Sequence, residues 1–298
     1  MIRKAILAGL FAIGLTQTGQ TASACNWNCG GTFTQGTSFG LTAPSHSGFQ
    51  KHIFFNMPKK EHSYEYIKDT SKARAGNFYQ RFEVRDGDCF PSPDGGWNDC
   101  ETDRERFEFS SRPRQKIEGM QCYSFSLKLD AEFESAGPTN TTLGQVHQLG
   151  GPKGSAGGFK SFPPLVQFNI RYNRFLFGWH ELTGDENNIK DQKREFELAK
   201  IDELKGKWTD VSVCLDFKNK RMDAWVNGTK KVEILRSPIN FMPESIYFKY
   251  GIYRSFISKY KKFSGKMPTQ IVYYDEVRRG DSVENVDVNI NPELKIVD

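Results

Sequence analysis

Aromatic and basic side chains are concentrated in residues 247–254, which read Tyr-Phe-Lys-Tyr-Gly-Ile-Tyr-Arg. A β-strand points successive side chains to opposite faces, so Tyr247, Lys249 and Tyr253 would share one side. Phenol and ammonium groups on an open face are suited to bind an acidic sugar. An ordinary amphipathic strand, whose tyrosine and lysine tips reach water, explains the same pattern equally well. Other segments must therefore decide between the two interpretations.

Two further strand-like segments have a polar face. In residues 104–109 the even positions are all charged, whereas positions 107 and 109 are phenylalanine. Gln145 and His147 flank Val146 in the same alternating manner. Together the segments supply cations, an amide, an imidazole and phenols, which are groups that bind anions and transfer protons. The candidate site residues are Arg104, Arg106, Glu108, Gln145, His147, Tyr247, Lys249, Tyr253 and Arg254.

The composition favours many strands joined by tight turns, with 24 Phe, 11 Tyr, 27 Gly and 13 Pro among 298 residues. Aromatic residues favour strands, and Gly and Pro favour turns. The predicted strands span residues 78–84, 123–129, 166–172, 175–181, 208–217 and 221–227. The third and fourth form a hairpin around Asn173 and Arg174, and the last two form another. We therefore predict an all-β chain with antiparallel pairing and no internal repeat.

The first 24 residues have the three parts of a secretory signal peptide. Arg3 and Lys4 precede an apolar run over residues 5–15, and small residues occupy 22–24. The mature chain is predicted to begin at Cys25, to be secreted or periplasmic, and to form one domain over 25–298 with an irregular lead-in over 25–75. No later stretch approaches the roughly 20 apolar residues that span a bilayer. Lipid attachment at Cys25 is the second interpretation, because polar residues 16–21 separate the apolar run from the cleavage site.

Six cysteines in a secreted chain predict disulfides rather than a metal site. No Cys-x-x-Cys pair occurs, which argues against zinc. The pairing favoured by proximity and strand placement is Cys25 with Cys29, Cys89 with Cys100, and Cys122 with Cys214, although six cysteines allow 15 connectivities. The second bridge would close the Gly-, Pro- and Asp-rich loop over residues 90–99.

Basic residues outnumber acidic ones, 41 to 36, which gives a formal net charge of +5. They cluster in residues 104–114 and 259–262 and predict a polyanionic partner. Secretion argues against a nucleic acid, so the predicted partner is an acidic polysaccharide. We expect the protein to act as a monomer.

In its three polar segments the chain resembles the alginate-lyase and heparin-lyase I-like polysaccharide lyases. Their motifs Arg-x-Glu, Gln-Ile/Val-His and Tyr-Phe-Lys-x-Gly-x-Tyr match residues 106–108, 145–147 and 247–253, in the same order. Residues 96–106 and 273–280 are similar to the heparin-lyase I-like branch, so the resemblance covers about 75–280. It implies a concanavalin A-like β-jelly-roll sandwich of two curved antiparallel sheets, with the polymer in the concave groove.

Such lyases cleave a uronate by β-elimination, and the resemblance assigns each step a residue. Gln145 and Arg106 would neutralise the uronate carboxylate. His147 would remove the C5 proton, and Tyr253, close to Lys249, would protonate the O4 leaving group; Tyr253 could instead serve as both base and acid. The resemblance makes Gln145, His147, Lys249 and Tyr253 catalytic, and Arg104, Arg106, Glu108, Tyr247 and Arg254 substrate-binding, with Glu108 orienting Arg106.

Two departures from the alginate-type motifs bear on the substrate. Ser110 stands where a second arginine is usual, and Ser255 stands where a glutamine is usual. Alginate is therefore disfavoured, whereas heparin, glucuronan and other uronate polymers stay open. Trp97 and Trp179 could contact sugars or belong to the core. No cofactor is required, and no loop has an oxygen-ligand spacing for the calcium found in relatives.

Two other functions fit parts of the chain. Glu101, Asp103 and Glu105 alternate and would place three carboxylates on one strand face, as in a glycoside hydrolase. Thr102 and Arg104 between them are polar, however, and clustered carboxylates would repel an anionic chain. A non-catalytic lectin is the third hypothesis, because sandwich folds host both binding and catalysis.

Overall fold

The computed structural model describes residues 51–53, 60–89, 98–111, 114–149, 162–185 and 187–297. The predicted signal peptide, the start at Cys25, the bridge between Cys25 and Cys29, and Trp97 lie outside the described residues. No helix in the described ranges is long and apolar enough to cross a membrane.

The described part of the chain consists mainly of antiparallel strands. They are β1 Lys51–Ile53, β2 Tyr64–Lys68, β3 Phe78–Val84, β4 Arg104–Ser111, β5 Met120–Leu129, β6 Asn140–Leu149, β7 Val166–Arg171, β8 Arg174–Asp185, β9 Asn188–Lys200, β10 Thr209–Asp216, β11 Arg221–Val226, β12 Thr229–Ile234, β13 Ser245–Ser255 and β14 Gln270–Gly280. Two short helices are α1 Ile201–Leu204 and α2 Ser258–Ser264, and 3₁₀ turns occupy Glu61–Ser63 and Val283–Asn285.

These strands form two seven-stranded sheets, which confirms the predicted all-β sandwich. One, here called the site sheet, has the order β1-β4-β13-β6-β7-β8-β9, and the other, the backing sheet, has the order β12-β11-β10-β5-β14-β3-β2. The late strands β13 and β14 lie in the middle of the two sheets, between strands from the first half of the chain. Long-range pairing therefore brings the three polar segments together.

Aromatic side chains fill the space between the sheets. The Phe82 ring lies 5.1 Å from the Phe109 and Tyr274 rings and 5.7 Å from the Tyr250 ring, centroid to centroid. The alternate side chains Phe248, Tyr250 and Ile252 of β13 are fully buried in this core. Because a strand alternates its faces, Tyr247, Lys249 and Tyr253 lie on the outer side of the site sheet.

The predicted strands agree with the observed ones, with two corrections. The turn between β7 and β8 is formed by Tyr172 and Asn173, one residue earlier than predicted, because Arg174 already pairs with Arg171. Tyr172 has φ = 54°, the left-handed conformation of a tight turn. The prediction of an irregular lead-in up to residue 75 is wrong for β2, which pairs with β3 and buries Tyr64 against the core.

Two of the three predicted disulfides are confirmed. Cys89 and Cys100 are bonded at the two ends of the Gly-, Pro- and Asp-rich loop. Cys122 and Cys214 are bonded at directly paired positions of β5 and β10 in the backing sheet. The first bridge lies beside the strand that carries Arg104 and Arg106, whereas the second lies in the other sheet.

We expect Phe82→Ala to lower the free energy of unfolding by about 3–5 kcal/mol, because it removes a ring from the centre of the aromatic core. Urea denaturation monitored by circular dichroism measures the change. Phe263→Ala is the matched control, because the Phe263 side chain is 83% exposed and its removal should have almost no effect. Equal stability of the two variants would contradict this account of the core.

Candidate active site

Strands β4, β13 and β6 are neighbours in the site sheet, and each carries one of the polar segments. The pairs across these strands are Lys249 with Gln145, Tyr247 with His147, and Tyr253 with Arg106. Paired residues of adjacent strands point to the same side of a sheet. The resulting polar face consists of Arg104, Arg106, Glu108, Gln145, His147, Tyr247, Lys249 and Tyr253.

Glu108 lies at the centre of the polar face and is only 2% exposed. Its carboxylate accepts hydrogen bonds from Lys249 Nζ at 2.5 Å, Gln145 Nε2 at 2.5 Å and Arg106 Nη1 at 3.3 Å. Burial favours the neutral acid, but the neighbouring Lys249 and Arg106 cations and these hydrogen bonds lower the pKa of Glu108. The carboxylate is therefore charged at neutral pH, and it holds donors from three strands.

Lys249 does not reach water, as an ordinary amphipathic strand would require. The residue is 2% exposed, and its ammonium group lies against the Glu108 carboxylate. A buried lysine without an opposite charge would be strongly disfavoured, so the pair accounts for its position. The interpretation that the Tyr and Lys tips simply extend into solvent is wrong for this residue.

Arg106 is held by a second buried carboxylate that sequence analysis missed. Asp99 is fully buried and accepts from Arg106 Nε at 2.6 Å and from Nη2 in a bidentate pair. Burial opposes the charged form, but Asp99 and Glu108 together raise the pKa of Arg106. Asp99 precedes the disulfide-bonded Cys100, and that link to a predicted bridge is the sequence signal that could have pointed to it.

A β-bulge in β13 lies directly before Tyr253. Strand β13 has one more residue than β6 between the pairs at Tyr250 and Tyr253. Gly251 within the bulge has φ = 130°, and a Cβ there would lie 2.3 Å from the Phe107 carbonyl oxygen. Only glycine fits such a close approach, so Gly251 allows β13 to pair with both neighbours at the bulge.

The Tyr253 phenol lies between two guanidinium groups. Arg104 Nε donates a hydrogen bond to the phenol oxygen at 3.2 Å, and the Arg106 guanidinium lies 4.1 Å from the ring centroid. Both of these contacts come from arginines, whereas the Lys249 ammonium is bonded to Glu108. Cationic donors at the oxygen stabilise negative charge that develops there.

His147 is oriented with one ring nitrogen available as a base. Its Nδ1 lies 2.8 Å from the Gln148 carbonyl oxygen, which can only accept, so Nδ1 carries the proton and Nε2 the lone pair. The ring stacks on Tyr247 with the centroids 5.4 Å apart, and the Arg114 guanidinium lies 5.2 Å from the Tyr247 ring. Burial and the nearby Lys249 cation lower the pKa of His147 to about 4.

Arg254, a predicted substrate-binding residue, is not on the polar face. It is fully buried on the core side of β13, where it forms an ion pair with Glu105 and donates to the Arg85 carbonyl oxygen at 2.8 Å. The alternation of strand faces explains this, because Arg254 has the same parity as Ile252 and the opposite parity to Tyr253. We therefore correct its predicted role to a structural one.

The three carboxylates that favoured a glycoside hydrolase do not share a strand face. Glu101 and Asp103 lie in the turn before β4, and Asp103 has φ = 65°. Glu105 lies on the core side with Arg254. Within the described ranges no group of three or more His, Cys, Asp or Glu side chains is arranged to hold a metal ion.

The polar surface continues across β7–β9 with residues that sequence analysis did not select. Gln167 pairs with Gln145 across β6 and β7, and its Oε1 lies 3.0 Å from His180 Nε2. His180 Nδ1 lies 2.6 Å from the Asp191 carboxylate. Of the two roles left open for Trp179, the structure supports the core role, because the residue is 1% exposed and its indole N–H donates to the Pro238 carbonyl oxygen.

We expect the His147 imidazole to titrate near pH 4 rather than near its ordinary value of 6.5. The folded state resists protonation, so His147 contributes stability above pH 6.5 that is progressively lost as the pH falls toward 4. Histidine NMR measures the midpoint from the ring chemical shifts, with His147→Gln to assign the signal. A midpoint near 6.5 would contradict the partly buried, cation-flanked environment.

Comparisons with known proteins give the family. No curated protein sequence matches the chain. Among solved structures, an endo-β-1,4-glucuronan lyase from the fungus Trichoderma reesei is similar, with 19% sequence identity and a TM-score of 0.53 over 76% of this chain and 91% of that one. Alginate lyase AlyC3 is 13% identical, with a TM-score of 0.49 over 78% and 89% of the two chains. The first likeness shows a shared jelly-roll fold.

The family model for polysaccharide lyases matches residues 38–278, which include the whole polar face. This chain belongs to the polysaccharide lyase family.

Proposed function

We propose that this lyase cleaves a 1,4-linked uronate polymer by β-elimination and leaves a 4,5-unsaturated uronate end. The observation that carries the proposal is the placement of a neutral imidazole and a phenol flanked by arginines on one face around Glu108. The likeness in fold to a glucuronan lyase supports glucuronan as the first polymer to test. Heparin-like polymers are the second choice.

The first step is recognition of the uronate carboxylate. Gln145 donates one N–H to Glu108 and has a second N–H for a ligand, and Arg106 has N–H groups beyond those used by Asp99 and Glu108. The three cations Arg104, Arg106 and Lys249 outnumber the two carboxylates Asp99 and Glu108 by one. Excess positive charge stabilises the enolate-like charge that develops when C5 loses its proton, and each well-placed donor contributes about 3–4 kcal/mol in comparable sites.

The second step is proton transfer across the C4–C5 bond. His147 Nε2 accepts the C5 proton, and the electrons of that C–H bond form the C4=C5 double bond as the C4–O4 bond breaks. Tyr253 donates its phenol proton to O4, and the Arg104 and Arg106 guanidinium groups stabilise the resulting phenolate. Transfer of the proton from His147 back to Tyr253 through water restores the site. If Tyr253 serves as both base and acid, His147 instead binds the substrate.

We further propose that the protein acts outside the cytoplasm on an acidic polysaccharide. Disulfides at Cys89–Cys100 and Cys122–Cys214 support an oxidising compartment, and the sequence begins with the three parts of a signal peptide. N-terminal sequencing of protein recovered from the periplasm or the medium tests this. A mature chain that starts at Cys25 is the expected result, and an intact Met1 start on intracellular protein would contradict it.

Absorbance at about 235 nm distinguishes the candidate functions, because only elimination creates a conjugated unsaturated uronate. The purified protein is mixed separately with glucuronan, heparin, heparan sulfate, alginate and pectate. A rise on a uronate polymer is the expected result and names the substrate. New reducing ends without absorbance would favour hydrolysis, and binding without either signal would favour a lectin.

Tyr253→Phe should lower kcat by about 10²-fold or more, because it removes the proton that O4 receives. The thermal unfolding midpoint should stay close to that of the wild type, since the ring remains. Tyr172→Phe is the control, because Tyr172 is 55% exposed in the β7–β8 turn and should keep full activity. A Tyr253→Phe variant with near-normal turnover would exclude the assigned role.

The two disulfides should separate stability from activity. Cys89→Ala/Cys100→Ala opens a short loop and should cost about 3 kcal/mol, less than the about 4–5 kcal/mol for the long loop of Cys122→Ala/Cys214→Ala. The first pair should nevertheless lose more activity, because Asp99 beside Cys100 holds Arg106. Initial rates at 235 nm and urea denaturation measure both effects. If Cys122→Ala/Cys214→Ala lost more activity than Cys89→Ala/Cys100→Ala, the proposed role of the first bridge would be contradicted.

A further inference from the structure

Phe256 is an exposed aromatic residue in a strained backbone conformation at the end of β13. Its side chain is 44% exposed, and its φ is 62°. Bulky residues rarely adopt this left-handed conformation, which costs of the order of 1–3 kcal/mol when the surroundings enforce it. Burial of the side chain cannot explain the strain, because the residue is nearly half exposed.

Contacts on both sides fix the backbone of Phe256. Its N–H donates to the Asp103 carbonyl oxygen at 2.9 Å, and its carbonyl oxygen accepts from Thr139 Oγ1 at 2.9 Å. The Asp103 carboxylate accepts from the Ser258 N–H at 2.9 Å and from Ser258 Oγ at 2.7 Å. Asp103 itself has φ = 65°, so two strained residues are bonded to each other. The backbone that carries the ring is thereby fixed before any ligand binds.

The Phe256 ring contacts two cations, Arg104 of the polar face and Lys259 of α2. The Arg104 guanidinium and the Lys259 ammonium each lie 4.7 Å from the ring centroid. Arg104 also donates to the Tyr253 phenol oxygen. In the proposed reaction that phenol faces O4, the atom that joins the uronate to the sugar on the leaving side of the broken bond. Phe256 and Lys259 therefore lie on the side of Tyr253 that the leaving sugar would occupy.

We propose that Phe256, Arg104 and Lys259 form a subsite that binds the carboxylate of a second uronate, on the leaving side of the scissile bond. Cations held against an aromatic ring lose little freedom when they bind an anion, because the ring already restricts them. The inference rests on the proposed function. Its consequence is a specificity: the enzyme cleaves between two consecutive uronates and disfavours bonds whose leaving sugar is neutral.

The test uses glucuronan and glucuronan whose carboxyl groups have been partly reduced to alcohols. Each cleavage turns the leaving sugar into a new reducing end, so labelling and mass analysis of those ends show which sugar occupied the subsite. For the wild type we expect uronate at almost all new ends of the partly reduced polymer. Phe256→Ala and Lys259→Gln should each raise the share of neutral sugars at the new ends, toward the composition of the polymer, by about two- to fivefold.

The same variants should change KM more than kcat on intact glucuronan. Loss of an exposed cation–π contact corresponds to about a two- to fivefold effect, so we expect KM to rise by about that factor per contact. Phe263→Ala and Lys262→Gln are matched controls on α2 and should behave as the wild type; Phe263 is 83% exposed. Thermal unfolding of all four variants should be unchanged, which separates a binding role from a structural one.

The two levels of failure are distinguishable. If the wild type gives no absorbance at 235 nm on any uronate polymer, the proposed function fails and this subsite fails with it. If the wild type cleaves glucuronan but Phe256→Ala keeps both the wild-type KM and uronate at the new ends, only the subsite is overturned.

Discussion

Glu108 places a buried carboxylate between strands β4, β13 and β6, where it accepts hydrogen bonds from Lys249, Gln145 and Arg106. A charge in this position is tolerated only while its partners remain, and breaking a buried pair typically costs about 3–5 kcal/mol. The same requirement fixes the partners, because the removal of any one of them leaves the buried charge only partly compensated. The fold thus gains a rigid arrangement of donors on an otherwise open sheet, at the cost of burying several charges.

Features around this carboxylate explain how the site keeps its geometry. Asp99 holds the far side of Arg106, and the disulfide at Cys100 anchors Asp99. Gly251 allows the close approach between β13 and β4 next to Tyr253. Catalysis by positioned groups depends on such preorganisation, because a displacement of about 1 Å can cost about 10²-fold in rate. The residues that do not touch the substrate are therefore as important as the proposed acid and base.

Much of this arrangement could be predicted from the sequence, because strands have a simple period. Alternation identified β13, and three short motifs identified most of the polar face. The same rule applied one residue further would have placed Arg254 in the core, where it meets Glu105. Arg254 was assigned to the substrate because it adjoins the third motif, although the alternation of strand faces points its side chain to the opposite side from Tyr253.

Other features could not be predicted from the period of a strand. Asp99 lies in a turn, where no period relates it to Arg106. The backbone of Phe256 is set by hydrogen bonds to Asp103 and Thr139, which are 153 and 117 positions away in the chain; Ser258, two residues on, is likewise bonded to Asp103. Long-range contacts of this kind override local preference, and they are found where a fold supports a strained, functional segment.

The most direct test of the account is kcat/KM for Glu108→Gln on the uronate polymer that the wild type cleaves. Glu83→Gln is the control, because Glu83 is also buried and paired with two arginines but lies in the backing sheet. With both variants shown to be folded, we expect Glu108→Gln to lose about 10²-fold or more in kcat/KM, as displaced catalytic groups do, and Glu83→Gln to keep its activity. A Glu108→Gln enzyme as active as the Glu83→Gln control would show that the carboxylate does not organise the site.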